Sequence, residues 1–201
     1  MILANVEIHK AIDEGRLRIA PEPRPRLPEV GGPHCPYDTH SVDLTLGNII
    51  SVPLGGNFDI NLAKPGDIAA TIGRNCEHHD LSQVKQFVLA PNKFILGKTR
   101  EAIELPLQKE ADRSLAARIE GKSSRARFGL IIHFTAPTVH PGFEGTITLE
   151  IINLGVYGFT LTPGMPIAQL IIEEVRGVPV RNDSQFQGQR HPAGVVPDGR
   201  K

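Results

Sequence analysis

Gly121-Lys122-Ser123-Ser124-Arg125-Ala126-Arg127-Phe128-Gly129 begins a stretch that continues through an apolar run to Thr135-Ala136-Pro137-Thr138-Val139-His140-Pro141-Gly142-Phe143-Glu144-Gly145, and closes on Thr146-Ile147-Thr148-Leu149-Glu150-Ile151. The closing piece decides the fold class. Its residues alternate with period two, the mark of a strand with one face in a core. Thr146, Thr148 and Glu150 share one face; Ile147, Leu149 and Ile151 share the other. A carboxylate in such a strand is costly to bury unless it is paired or used, so Glu150 predicts a pocket or a partner. The opening piece is a Gly-flanked segment with adjacent serines among Lys and Arg. Backbone N–H groups and hydroxyls there can donate to phosphate oxygens while the cations supply charge. A solvated basic turn between strands is the alternative reading of the same residues.

Working outward, 201 residues suffice for one domain with a sizeable core. Lys+Arg and Asp+Glu both total 22, so no global field draws nucleic acid or an anionic membrane, and any anion site must be local. No apolar run reaches the roughly 18 residues of a membrane span. The N-terminus lacks a signal-peptide pattern, and the only cysteines are Cys35 and Cys76, so a reduced, cytoplasmic protein is expected. With 20 Gly and 17 Pro among many short strand-like segments, the expected class is mainly β with closed edges: a barrel or double sheet.

Along the chain, Asn5 predicts a helix cap, with Val6, Ile8, Ala11 and Ile12 at helical spacing and Gly15 as the stop. Leu17–Ile19 reads as a short strand and Pro21–Pro36 as an extended loop. Val42–Asn48 reads as a strand with one wet face, continued by Ile49–Pro53. Gly55–Leu81 is irregular; its Cys76-Glu77-His78-His79-Asp80 run suggests zinc, but adjacent histidines fit one tetrahedral ion poorly and no second ligand pair follows, so a polar loop is expected. Phe87–Leu89 and Phe94–Thr99 read as a hairpin across Pro91-Asn92. Ala102–Pro106, Ser114–Glu120, Leu130–Phe134, Gly145–Ile151, Phe159–Thr162 and Ile167–Val175 read as further strands, with a helical turn at Arg125–Phe128. Beyond Gly177 the chain is polar and rich in Gly and Pro; if ordered, it is expected to order on a ligand or a neighbouring subunit.

Several of these pieces together resemble the dCTP deaminase branch of the trimeric dUTPase-like superfamily. They are Gly121–Leu130, Thr135-Ala136, Pro141–Gly145, Thr148-Leu149-Glu150 and Pro163-Gly164-Met165-Pro166-Ile167-Ala168-Gln169-Leu170, supported by Ser41–Gly47 and Phe186–Arg190. The resemblance implies a distorted jelly-roll (β-clip) dUTPase-like fold with a short N-terminal helix over residues 1–176, and a C-terminal arm, 177–201, that closes over the active site. It implies a homotrimer with interfacial sites, pairing into a hexamer being left open, and zinc-independent deamination of dCTP to dUTP and ammonia. Magnesium would ride on the triphosphate. By the same resemblance Glu150 is the general base and acid, Ser123 and Arg127 assist the water and orient Glu150, and the Ala136 carbonyl helps hold that water. Lys122, Ser124, Arg125, Ala126, His140, Thr148, Leu149, Gln169, Gln185 and Gln189 correspond to nucleotide-binding positions. No metal-ligand residues are implied.

The chain departs from the family pattern at three places. His140 stands where the family usually has Asp before Pro-Gly, and an imidazole cannot reproduce a two-oxygen anionic acceptor. Pro137-Thr138 replaces a common His-Arg, and Gln185-Phe186 replaces Lys-Tyr. Lys122-Ser123-Ser124 and Gln187-Gly188-Gln189 are nearer to bifunctional variants that go on to dUMP, which makes a bifunctional enzyme the alternative. A nucleotide-binding regulator, or an enzyme for ribonucleotides or a modified cytosine, stays open because of His140.

Overall fold

The strand through Glu150 runs from Glu144 to Asn153 in the computed structural model, which describes residues 1–56, 68–182 and 187–193. Gln185 and Phe186, most of the Gly55–Asp67 stretch and the end of the tail lie outside the described residues. In chain order the elements are α1 (Asn5–Asp13), β1 (Arg18–Ala20), β2 (Val42–Thr45), β3 (Ile49–Pro53), α2 (Ile68–Arg74), β4 (Cys76–Asp80), α3 (Leu81–Val84) and β5 (Phe87–Leu89), followed by β6 (Phe94–Glu104), β7 (Leu115–Gly121), α4 (Ser123–Ala126), β8 (Leu130–Ile132), β9 (Thr138–Val139), β10 (Glu144–Asn153), β11 (Phe159–Leu161) and β12 (Pro166–Glu174). The class is mainly β with a short N-terminal helix, as expected.

One sheet runs β4-β3-β6-β10-β8, with β1 also paired to β6; a second runs β2-β12-β7-β9; β5 and β11 form a small third. One apolar cluster joins them, drawing Leu44, Ile119, Leu170 and Ile172 from the second sheet and Ile50, Ile95, Ile103, Leu149 and Ile151 from the first. The long strand β6 makes the corner. Its pairing with β10 slips between Thr146 and Thr148, where Ala102 and Lys98 are the flanking partners, so Thr99–Glu101 bulge out of the ladder. Thr99 Oγ1 accepts the Ile147 N–H at 2.9 Å. Glu101, 4% exposed, turns to the other sheet and accepts from the Thr45 N–H and hydroxyl at 2.9 and 2.6 Å. The charge is taken out of water, but both carboxylate oxygens are hydrogen-bonded.

Several local expectations need correction. Helix α1 is preceded by Ala4 with no side-chain cap, while the Asn5 side-chain carbonyl accepts from the neighbouring Val6 N–H; the stop at Gly15 (φ 70°) is as read. Strand β2 has no wet face, because Asp43 is buried against Lys122 and His34, described below. Phe87–Leu89 and Phe94–Thr99 are not a hairpin: β5 pairs with β11. The buried Asn153 decides this, its amide donating to the carbonyls of Leu89 (3.0 Å) and Tyr157 (2.7 Å). Cys76–Asp80 is not a loop but a strand, paired residue by residue with β3. Segment 187–193 packs on its own chain: the Gln189 carbonyl accepts from Thr146 N–H at 3.0 Å, and the Gly188 N–H donates to the Glu144 carbonyl at 2.8 Å. Gly145 permits that approach, since an added Cβ would lie 2.8 Å from the Gln189 oxygen.

Candidate active site

Glu150 sits where alternation along β10 demands. Leu149 and Ile151 are fully buried, whereas Thr148 and Glu150 are part-exposed on the opposite face. That face forms one wall of a cavity of about 310 Å³, lined also by Ile72, Leu96, His133, Ala136–His140, Phe143, Ile147, Gln189, Pro192 and Ala193. The walls are largely apolar, with few polar groups converging, the usual composition of a small-molecule site.

His133 is the residue that sequence reading missed. Strand β8 ends at Ile132, and His133 adopts a left-handed conformation (φ 59°). Its N–H then donates to the Glu150 carbonyl at 3.0 Å, and its Nδ1 lies 3.2 Å from Glu150 Oε2. The His133 side chain is 8% exposed, and its Nε2 has no hydrogen-bond partner among the described residues. The hydrogen bond from His133 holds the Glu150 carboxyl below its ordinary pKa; burial opposes this, and a backbone hydrogen bond from Phe134 supports it. An ionised carboxylate only accepts, so the His133 proton resides on Nδ1. The arrangement presents a fixed, ionised base to the cavity, able to accept from a water or a ring nitrogen. The one hint in the sequence was a titratable residue closing an apolar run at Leu130–Phe134.

The expected residues fall into two groups. Ala136, His140, Thr148, Glu150 and Gln189 line the cavity together. Leu149 is fully buried, so only its backbone can meet a ligand there. His140 is exposed at the rim, its carbonyl accepting from Phe143 N–H at 3.1 Å in the turn through Gly142. Gln189 is tied down by its Nε2, which donates to the Thr146 carbonyl at 3.0 Å.

Lys122, Ser123, Ser124, Arg125, Ala126 and Arg127 do not line this cavity. They form the basic turn α4 after β7, with Ser123, Ser124, Ala126 and Arg127 exposed. The Lys122 ammonium contacts the buried carboxylate of Asp43, whose other oxygen meets His34 Nε2 at 3.1 Å. Arg125 is partly buried, its Nη1 without a partner among the described residues, and burial lowers its pKa. Gln169, on β12, is opposite Asp43 and Glu120 on the neighbouring strands, so it belongs with the basic turn. Glu150 and the cations expected to serve it are thus brought to different places on one chain.

A family model described as dCTP deaminase-like matches residues 2–175. The chain belongs to the dCTP deaminase-like family. Within this family it is 33% identical over 201 residues to a dCTP deaminase from Natronomonas pharaonis, covering 96% of this chain and 92% of that one. It is 36% identical over 178 residues to a dCTP deaminase from Rhodospirillum rubrum, covering 86% and 82% of the two chains. It is 35% identical over 173 residues to a dUMP-forming dCTP deaminase from Dictyoglomus thermophilum, covering 85% and 78%. The fold is shared with the crystal structure of a 2'-deoxycytidine 5'-triphosphate deaminase from Agrobacterium tumefaciens, at a TM-score of 0.57 and 20% identity over 89% of this chain; the match spans about half, 48%, of that longer chain. No helix among the described residues of this family member is long and apolar enough to cross a membrane.

Proposed function

We propose that this protein hydrolytically deaminates dCTP to dUTP and ammonia, with Glu150 as the proton shuttle. The carrying observation is the ionised Glu150 carboxylate, held by His133 Nδ1 in the wall of an apolar cavity. Glu150 takes a proton from water as the oxygen bonds to C4 of the cytosine ring. Protons then pass to the ring nitrogen and the exocyclic amine, the C4–N bond breaks, and ammonia leaves. The Ala136 carbonyl, at the same cavity, is suited to hold the water, and Gln189 and the Thr148–Leu149 backbone are suited to the base and sugar. The relatives named dCTP deaminase support this substrate.

A second copy completes the site in this reading, as a homotrimer. The separation of the Lys122–Arg127 turn from Glu150 supports it, because a neighbour's exposed Ser123, Ser124 and Arg127 would bring the missing donors and charge to the triphosphate. Magnesium enters bound to that triphosphate. Residues 177–201 act as the arm, and its seated portion, 187–193, already borders the cavity. A reduced, cytoplasmic setting belongs to the same reading and is consistent with Cys35 and Cys76 being unpaired.

The test supplies dCTP, CTP and dUTP separately with magnesium and follows ammonia and pyrophosphate. Ammonia from dCTP is expected, abolished by Glu150→Gln; ammonia from no cytosine nucleotide sinks the reading. Pyrophosphate from dUTP would instead favour the bifunctional variant, which the dUMP-forming relative supports. Faster release from CTP would assign His140 to ribose recognition, since a site built around a hydroxyl rejects its absence strongly.

A further inference from the structure

The stretch Cys76–Asp80 has no part in the chemistry above, yet it touches the end of the C-terminal segment. On β4 the side chains alternate. His79 faces Phe87 (ring centroids 5.4 Å apart) and Glu77, while His78 turns to the other side. There His78 Nδ1 lies 2.9 Å from the Oγ of buried Ser51 on β3, which fixes its ring. The His191 ring meets it edge to face, with centroids 4.6 Å apart and planes at 87°. Next to this contact Lys98 Nζ donates to the Arg190 carbonyl at 3.0 Å. The Thr148 hydroxyl donates to the Pro192 carbonyl at 3.3 Å, and Ala193 is 1% exposed. Gln189, Pro192 and Ala193 are the tail residues that wall the Glu150 cavity, and His191 is the ring between them. The Ala193 N–H donates to His191 Nδ1 at 3.2 Å. That nitrogen must therefore carry a lone pair, so the docked ring is the neutral Nε2–H form.

We propose that His78 is a positioning residue: with His191 it forms an acid-sensitive latch that seats segment 187–193 along the Glu150 cavity. The groups facing the latch are His78 and Asp80 on β4, Lys98 on β6, and Arg190 within the segment, itself paired with Glu144 at 3.7 Å. Lys98 and any proton on His78 oppose a second cation there, and binding a proton at His191 Nδ1 removes the Ala193 bond. Consistently, burial first, then His78 and Lys98, lower the His191 pKa to about 4. The sign follows. A histidine with a depressed pKa in the docked state favours docking fully above its ordinary value, about 6.5, and that preference is lost as pH falls toward about 4. The undocked fraction rises by at most about tenfold per pH unit in that window, less because His191 is only partly buried.

The functional consequence rests on the deaminase reading, but the latch has its own readout. The Thr146 N–H bonds the Gln189 carbonyl, so hydrogen–deuterium exchange of peptide 144–150, corrected for the intrinsic rate, reports docking without substrate. Exchange in the wild-type chain should accelerate between pH 7.5 and pH 5. His78→Ala should exchange faster at both, and His191→Phe, which keeps an edge-to-face ring but can neither be protonated nor accept from Ala193 N–H, should exchange at a rate that no longer rises between pH 7.5 and pH 5. Unchanged exchange in His78→Ala, or equal acid sensitivity in His191→Phe, overturns the latch; if His78→Ala fails to fold, the His191→Phe comparison decides alone. With dCTP, His78→Ala should raise KM several-fold more than it lowers kcat. An absence of turnover in every variant and in the wild type removes the deaminase reading and leaves the exchange result to judge the latch.

Discussion

Replacing His133 by alanine should move the acidic limb of the deamination profile toward neutrality while leaving the fold in place. His133 gives Glu150 its principal hydrogen bond, at 3.2 Å, and this holds the carboxyl below its ordinary pKa. A carboxyl with a depressed pKa is in its active, ionised form above the ordinary value and loses that form as pH falls through the depressed one. Removing the donor therefore raises the pH at which the base is protonated. A hydrogen bond to a charged group contributes about 1.5–3 kcal/mol. The Glu150 side chain is 32% exposed, so solvent recovers part of this and about 1–2 kcal/mol is expected. That is roughly a fivefold to thirtyfold loss of kcat/KM on the acidic limb, shrinking toward higher pH. The assay is ammonia release from dCTP across the pH range, with circular dichroism to confirm folding. His133→Asn is the control: asparagine is at ease at φ 59° and its amide can donate, so it should recover part of the limb that alanine loses. An alanine variant with an unshifted limb would refute the pairing as the source of Glu150's ionisation, as would an asparagine variant no better than alanine.

Three further outcomes concern stability. Asp43→Ala strands the Lys122 ammonium, 24% exposed, beside an empty partner position; breaking a buried pair costs about 3–5 kcal/mol, and partial exposure reduces this to about 2–3, a fall in Tm of roughly 4–12 °C by calorimetry. Glu101→Ala removes both acceptors for the Thr45 N–H and hydroxyl and should cost about 3–5 kcal/mol in urea unfolding, with Glu101→Gln costing less because one acceptor survives. Gly155→Ala would place a Cβ 2.0 Å from the Phe128 carbonyl, backbone against backbone, so a loss above roughly 4 kcal/mol or no soluble protein is expected; a normal Tm would mean the two turns do not meet this way.

What the sequence disclosed depended on how far apart the determinants lie. Alternation through Glu144–Asn153 is a local property, and it correctly put Glu150 on the face opposite Leu149 and Ile151. The N-terminal helix and its glycine stop were local too. His133 escaped because its role arises from the β8–β10 register, which brings residues 17 positions apart into contact; nothing in an apolar run announces that. The pairing of Lys122 with Asp43 escaped for the same reason, since the two are 79 residues apart. The Pro91-Asn92 turn is real, with Asn92 at φ 60°, but the buried amide of Asn153 outweighs the local hairpin preference and hands β5 to β11. The histidine pair at Cys76–Asp80 suggested a metal by type alone, whereas strand geometry sends the two rings to opposite faces.

The bulge at Thr99–Glu101 carries a consequence for how this chain can change length. Ala102 and Lys98 on β6 are four apart while their partners Thr146 and Thr148 are two apart, so the excess is two residues, an even number. Even spacing preserves phase: Ile95, Gly97, Thr99, Glu101 and Ile103 all stay buried, straight through the corner. The corner therefore obeys a parity rule. Deleting one residue there would turn one arm of β6 inside out, sending Ile103 outward and Glu104 inward, whereas losing two would straighten the strand yet keep every core side chain on its own side. Insertions and deletions at this corner should thus be tolerated only in pairs.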